Sequence, residues 1–183
     1  MSKFLKLCLF GAVFILALNV NAMDTSSFER LANNTIKQMD SGVVGDIDAL
    51  IAMQEELMRL GVEGGSQYII SNPAGTKPLS LVIENASKMK ELTLDEIEDK
   101  WHQGNFFKAK GINVDEIDHF GPVMSLMDSV IHPATSYLLI KEYKLTGNPE
   151  LLGRVKGELI EVLEHIKHVN ESPADKVRLT SNQ

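Results

Sequence analysis

Between His119 and Ile140 the chain carries one acid, Asp128, and no Lys or Arg. Val123, Met127, Val130, Ile131, Ala134 and Leu138 recur at helical spacing there. The opposite side holds Ser125, Asp128, Ser129, His132, Thr135 and Ser136. Small, weakly polar residues do not make an ordinary solvated face, so a helix over Pro122–Thr146 is expected to be buried on most sides. Any fold for this chain must wrap other elements around that helix.

Those elements also read as helices. Ser26-Ser27-Phe28-Glu29 has capping-box form, and Phe28, Leu31, Ala32, Thr35 and Met39 follow on one face. Ser41-Gly42 breaks that helix. Asp46 caps the next, with Ile47, Leu50, Ile51, Leu57 and Met58 as its stripe and Glu55/Arg59 as an outer i,i+4 pair; Gly61, Gly64 and Gly65 are expected to end it. Tyr68-Ile69-Ile70 is too short to assign by period. Leu79–Leu92 reads as a helix after Pro78, and Thr93-Leu94-Asp95-Glu96 boxes a short acidic helix to about His102. Gly104 to Gly111 reads as a loop, and Asn113 opens a short helix that Gly121-Pro122 interrupts. Gly147 then ends the apolar helix, and Asn148-Pro149-Glu150 opens a last one to Val169, making an antiparallel hairpin.

The expectation is an all-α fold: an antiparallel bundle of about four main helices plus short extra ones, preceded by a cleaved signal peptide. Its core is expected from Phe28, Leu31, Ile47, Leu50, Ile51, Leu57, Val82, Met127, Val130, Ile131, Leu138, Leu159, Val162 and Ile166. The signal is residues 1–22: Lys3 and Lys6 lead, Leu7 to Leu18 is uncharged, and Val20-Asn21-Ala22 offers small residues for cleavage. Residues 23–169 form one helical domain and 170–183 a polar tail. No later segment is expected to span a bilayer, and the address is periplasmic or secreted.

Charge and cysteine narrow the chemistry. The formal net charge is −7, and losing the two signal lysines makes it more negative, which argues against nucleic acid and anionic membranes as partners. The one cysteine, Cys8, lies in the signal, so residues 23–183 have no disulfide, thiolate metal site, cysteine nucleophile or covalent haem attachment. There is no Gly-x-Ser-x-Gly elbow, phosphate-cradling Gly-rich loop or His-Glu-x-x-His.

Three constellations remain. Glu161, Glu164, His165 and His168 lie within about a quarter turn on the last helix, a donor set for a divalent ion. They fall opposite its apolar face, so a solvated surface is the simpler expectation. Asp128 and His132 are i,i+4 on the central helix and can hydrogen-bond beside the break that Pro133 introduces, either as a core pair or at the edge of a pocket. Trp101, His102, Phe106 and Phe107 surround Gly104, with Lys108 and Lys110 nearby, and offer a recognition loop or a tucked aromatic corner. Weaker patterns are copper donors at His119, Met124, Met127 and His132, a Glu116-x-x-His119 spacing, and a non-covalent haem. The functional expectation is a non-enzymatic binding or accessory protein. It binds a protein partner or small ligand through Asp128, His132, Trp101, His102, Phe106 and Phe107. The alternative is a metal or haem protein using His119, His165, His168, Glu161 and Glu164, with His132 or Met124 as a further donor.

Overall fold

The computed structural model describes residues 23–40 and 45–169; the expected export signal, Ser41-Gly42 break and polar tail lie outside them. The described residues are all-helical, with no strand. In chain order they form α1 (Thr25–Asp40), α2 (Ile47–Ser71), α3 (Lys77–Met89) and α4 (Leu94–Ile97), which runs on as a π turn over Glu98–His102. Then come α5 (Asn105–Lys108), a 3-10 turn (Val114–Glu116), α6 (Pro122–Thr146) and α7 (Glu150–Ile166).

Side chains set most of the helix starts. Asp46 accepts from the backbone N–H groups of Asp48 and Ala49. Thr93 and Glu96 complete the expected capping box at α4. At α1 the cap is Asp24 rather than Ser26: its carboxylate accepts from the Ser27 N–H and the Ser26 hydroxyl, each at 3.0 Å. A carboxylate there satisfies a free donor and also complements the helix dipole, which a serine cannot do as well. Gly147, at φ 69°, closes α6 and opens the α6–α7 hairpin.

Two sequence expectations fail along α2. The glycines do not end it; α2 continues through Gly61, Gly64, Gly65 and Tyr68-Ile69-Ile70 to Ser71. Gly61 is where α2 crosses α6: a Cβ added there stands 2.5 Å from the Ser129 carbonyl oxygen. Close packing outweighs the roughly 1 kcal/mol that each glycine costs a helix interior. Nor does Arg59 pair with Glu55. It bonds Glu56 at 2.7 Å and Glu63 at 2.8 Å, while Glu55 reaches Lys90 on α3.

α6 is the central element, in contact with α2, α3, α4 and α7; α1 packs on α7 and α2. Surrounded on several sides, α6 buries Ser125, Ser129, Thr135 and Ser136 as well as its apolar stripe. By length and composition it could cross a membrane, contrary to the expectation that no later segment could, but 78% of its most apolar window is buried against the other helices. Of the expected core, Leu31, Ile47 and Ile51 are only half-buried, and the rest is buried.

Candidate functional site

The site is assembled from the π turn, the 3-10 turn, α6 and α7. In a π turn the backbone bonds skip one residue further than in an α-helix, which rotates the side chains that follow. Here it buries Trp101 and carries His102 toward α6, where His102 Nε2 lies 2.8 Å from the Thr135 hydroxyl. The Gly104–Gly111 stretch is not all loop; it contains α5, which packs Phe107 edge-on to Trp101 at 5.5 Å, with Phe106 4.4 Å from the same ring. Gly104 permits that reversal at φ 70°, and a Cβ would also strike Val114. Lys110 sits over Phe106 at 4.9 Å, on the outer side of the corner.

Between this corner and α6 lies a cleft of about 400 Å³. Trp101, His102, Phe107, Asp128 and His132, drawn from distant parts of the chain, all line it. Phe106 does not; it backs Trp101 instead. Met124, Met127 and Ile131 add apolar wall, and His119, Asp115 and Glu161 add polar edge. Among the described residues no Lys or Arg contributes to the lining. A second groove, of about 490 Å³, runs between the start of α1 and α2. Its charges are already engaged, Arg59 with Glu63 and Asp24 as the α1 cap, so it offers less chemistry.

His132 is buried and has a carboxylate on either edge. Its Nδ1 bonds Glu158 Oε2 at 2.8 Å, while Nε2 is 4.0 Å from Asp128 Oδ1. The expected Asp128–His132 hydrogen bond therefore does not form, because each residue takes a partner across the hairpin. Asp128 turns its other oxygen to His165, 2.9 Å from Nδ1, although the ring is not aligned for a hydrogen bond. Burial opposes a charge on His132, yet the bond to Glu158 and the fields of Asp128, Glu158 and Glu161 outweigh it and raise its pKa above the ordinary value. Those carboxylates thus favour a proton on this ring more than water does on a free imidazole.

α7 departs from its helical wheel. His165 was expected on a solvated face with Glu161, Glu164 and His168. It is buried, His168 is half-buried, and only the two glutamates are exposed. A helix flanked by both α6 and α1 buries a wider arc than its apolar stripe, and the polar side of α6 gives His165 a polar neighbour. Glu161 lines the cleft and Glu164 does not. His119 is exposed and stands edge-on to His165 with ring centroids 4.7 Å apart; Phe120 bridges to His168 at 5.0 Å. His102 and His132 rings lie 5.2 Å apart. All five histidines of the chain therefore gather on this side of the molecule. Glu116 and Asp99 take no part in this cluster's contacts; Glu116 accepts from Asn113 and Asp99 from Asn105.

The donors that meet within 4.8 Å of one another are His102, His132 and Glu158. They are not the C-terminal set expected from spacing. Glu158, Thr135 and Asp115 belong to the site although the sequence pattern did not mark them as functional. For Glu158 and Thr135 the available signal was the Gly147 turn, which folds α7 back along α6 and brings those positions opposite each other.

Protein-family models, curated proteins and solved structures were compared with the chain, and none matches. Fold and site together define the class: an all-helical protein with a histidine–carboxylate cleft against its central helix.

Proposed function

We propose that this is an exported, non-enzymatic binding protein, an antiparallel bundle of four main helices with short extra ones, that takes a small cationic amphiphile into the cleft. The observation that carries this reading is the lining. Trp101, Phe107 and Ile131 give an apolar bed, while Asp115, Asp128 and Glu161 supply negative charge unopposed by Lys or Arg among the described residues. An apolar pocket with a few convergent polar groups is how small-molecule sites are usually built. Export rests on the pattern of residues 1–22.

The test is thermal unfolding of the purified protein in EDTA with tryptamine, against indole-3-acetate as the anionic counterpart of the same ring. Tryptamine is expected to raise the midpoint, by the equivalent of about 2.7 kcal/mol at a hundred times its Kd. Glu161→Gln should weaken the effect and Asp128→Asn should abolish most of it. Equal shifts from the two indoles, or none from tryptamine, would overturn the reading.

A further inference from the structure

The inner edge of the cleft has the dimensions of a coordination sphere. Glu158 Oε2 lies 2.8 Å from His132 Nδ1 and 3.8 Å from His102 Nε2. All three donors fall within 4.8 Å of one another. A tetrahedral ion with bonds of about 2.0–2.1 Å to nitrogen and oxygen holds its donors about 3.4 Å apart, in the middle of this range. The donors come from three elements, the π turn, α6 and α7, so the finished fold brings them together rather than any local motif. We propose that His102, His132 and Glu158 bind one divalent transition-metal ion of the zinc class.

Several observations point the same way. The π turn that aims His102 is the one such turn among the described residues, and turns of this kind are rare and concentrate at functional sites. The far edge of His132 faces Asp128, the arrangement in which a carboxylate orients a metal-bound imidazole. Asp128 in turn lies against buried His165. The Thr135 hydroxyl, 2.8 Å from His102 Nε2, stands beside the site as a neutral oxygen for a metal-bound water or for the ion itself. Two imidazoles and one carboxylate suit zinc, cobalt(II), nickel or copper(II) better than magnesium or calcium, which prefer all-oxygen shells.

The charge balance is favourable. Glu158 is itself a ligand, Asp128 lies on the far edge of His132, and Glu161 lines the cleft, so three carboxylates face the ion. The two imidazoles bind it as neutral rings, and any proton on the ligating nitrogens leaves to solvent or moves to the ring's other nitrogen. Three protein ligands also leave a coordination position open, as in metal sites that exchange water or a bound molecule. This inference stands on the donors alone and does not require that the cleft bind an amine.

The test is calorimetric titration of the untagged, chelator-stripped protein with zinc chloride at about pH 7.5, together with the visible spectrum of its cobalt(II) form. One equivalent of zinc should bind, and cobalt should give the intense visible bands of a four-coordinate ion. His102→Gln and Glu158→Gln should each weaken zinc by about a hundredfold, and Asp128→Asn by about tenfold. His168→Gln, outside the trio, should leave the affinity unchanged. Magnesium should not compete. If Glu158→Gln fails to fold, His102→Gln decides alone, because His102 is half-buried at the edge of the core. The proposal is overturned by a folded wild type that takes up no zinc. Binding that survives in His102→Gln, or that is lost in His165→Gln and His168→Gln but not in His102→Gln, also overturns it. None of these zinc outcomes bears on the tryptamine result, which is read in EDTA.

Discussion

A buried imidazole with carboxylates on both edges holds its proton more tightly than the same ring in an unfolded chain. His132 is in that position: Glu158 and Glu161 act on it from α7, Asp128 from its own helix, and His102 stands across from the π turn. Its folded pKa lies above 6.5, so its contribution to stability is complete below the unfolded pKa. That contribution is lost as pH rises through the folded value. The metal-free protein should therefore lose stability as pH rises above the ordinary histidine value of 6.5. Urea midpoints in EDTA should show the loss, and Glu158→Gln should flatten it by removing the bond that raises the pKa most. A profile as steep in Glu158→Gln as in the wild type would mean that another group sets the slope. At this scale the sequence was half legible. Asp128 and His132 share a helix face by spacing alone, and the aromatic residues around Gly104 stand out by density. The partners across the hairpin were hidden, because which α7 residue meets His132 depends on the register of α7 against α6. Neither helix's own periodicity contains that register, so Glu158 did not stand out and His165 read as exposed.

Helix ends were the most readable elements, because caps are local chemistry: Asp46, the Thr93/Glu96 box and the Gly147 stop all act within one turn of themselves. The glycines of α2 were misread because a helix-interior glycine and a helix-ending glycine look alike until the neighbouring helix is known. The same residue type makes opposite predictions at two places. At Gly61 a methyl group meets the Ser129 backbone at 2.5 Å, so Gly61→Ala should destabilise by about 1–3 kcal/mol through overpacking of the α2–α6 crossing. Gly153 sits inside α7 and is exposed, with nothing within 4 Å of an added Cβ. Gly153→Ala should stabilise by about 0.5–1 kcal/mol, chiefly through the unfolded chain. Urea denaturation of both variants checks the pair. A neutral Gly61→Ala would show that α2 and α6 do not approach so closely.

For the whole molecule, one helix poses a choice that composition cannot make. α6 has the length and hydropathy of a membrane span, and so does the core helix of a soluble protein. Packing separates the two: α6 is covered by α2, α3 and α7, and it carries Asp128, His132 and Pro133 in its middle. An acid at the centre of a spanning helix costs about 2.5–3.5 kcal/mol on insertion scales, whereas here Asp128 and His132 meet polar partners from α7. On the proposed export reading, the apolar run at residues 7–18 is the segment that engages a membrane, and cleavage is expected after Ala22. Expressed as the full chain in a bacterium, the protein should be released by osmotic shock with Met23 as its first residue, read by intact mass. Alkaline washing of the membranes should leave none of the processed form behind. Ala22→Asp should block cleavage and hold the chain on the membrane by its first 22 residues. Processed protein that resists the wash would instead make α6 the anchor, and the cleft built against it would have to open for α6 to insert.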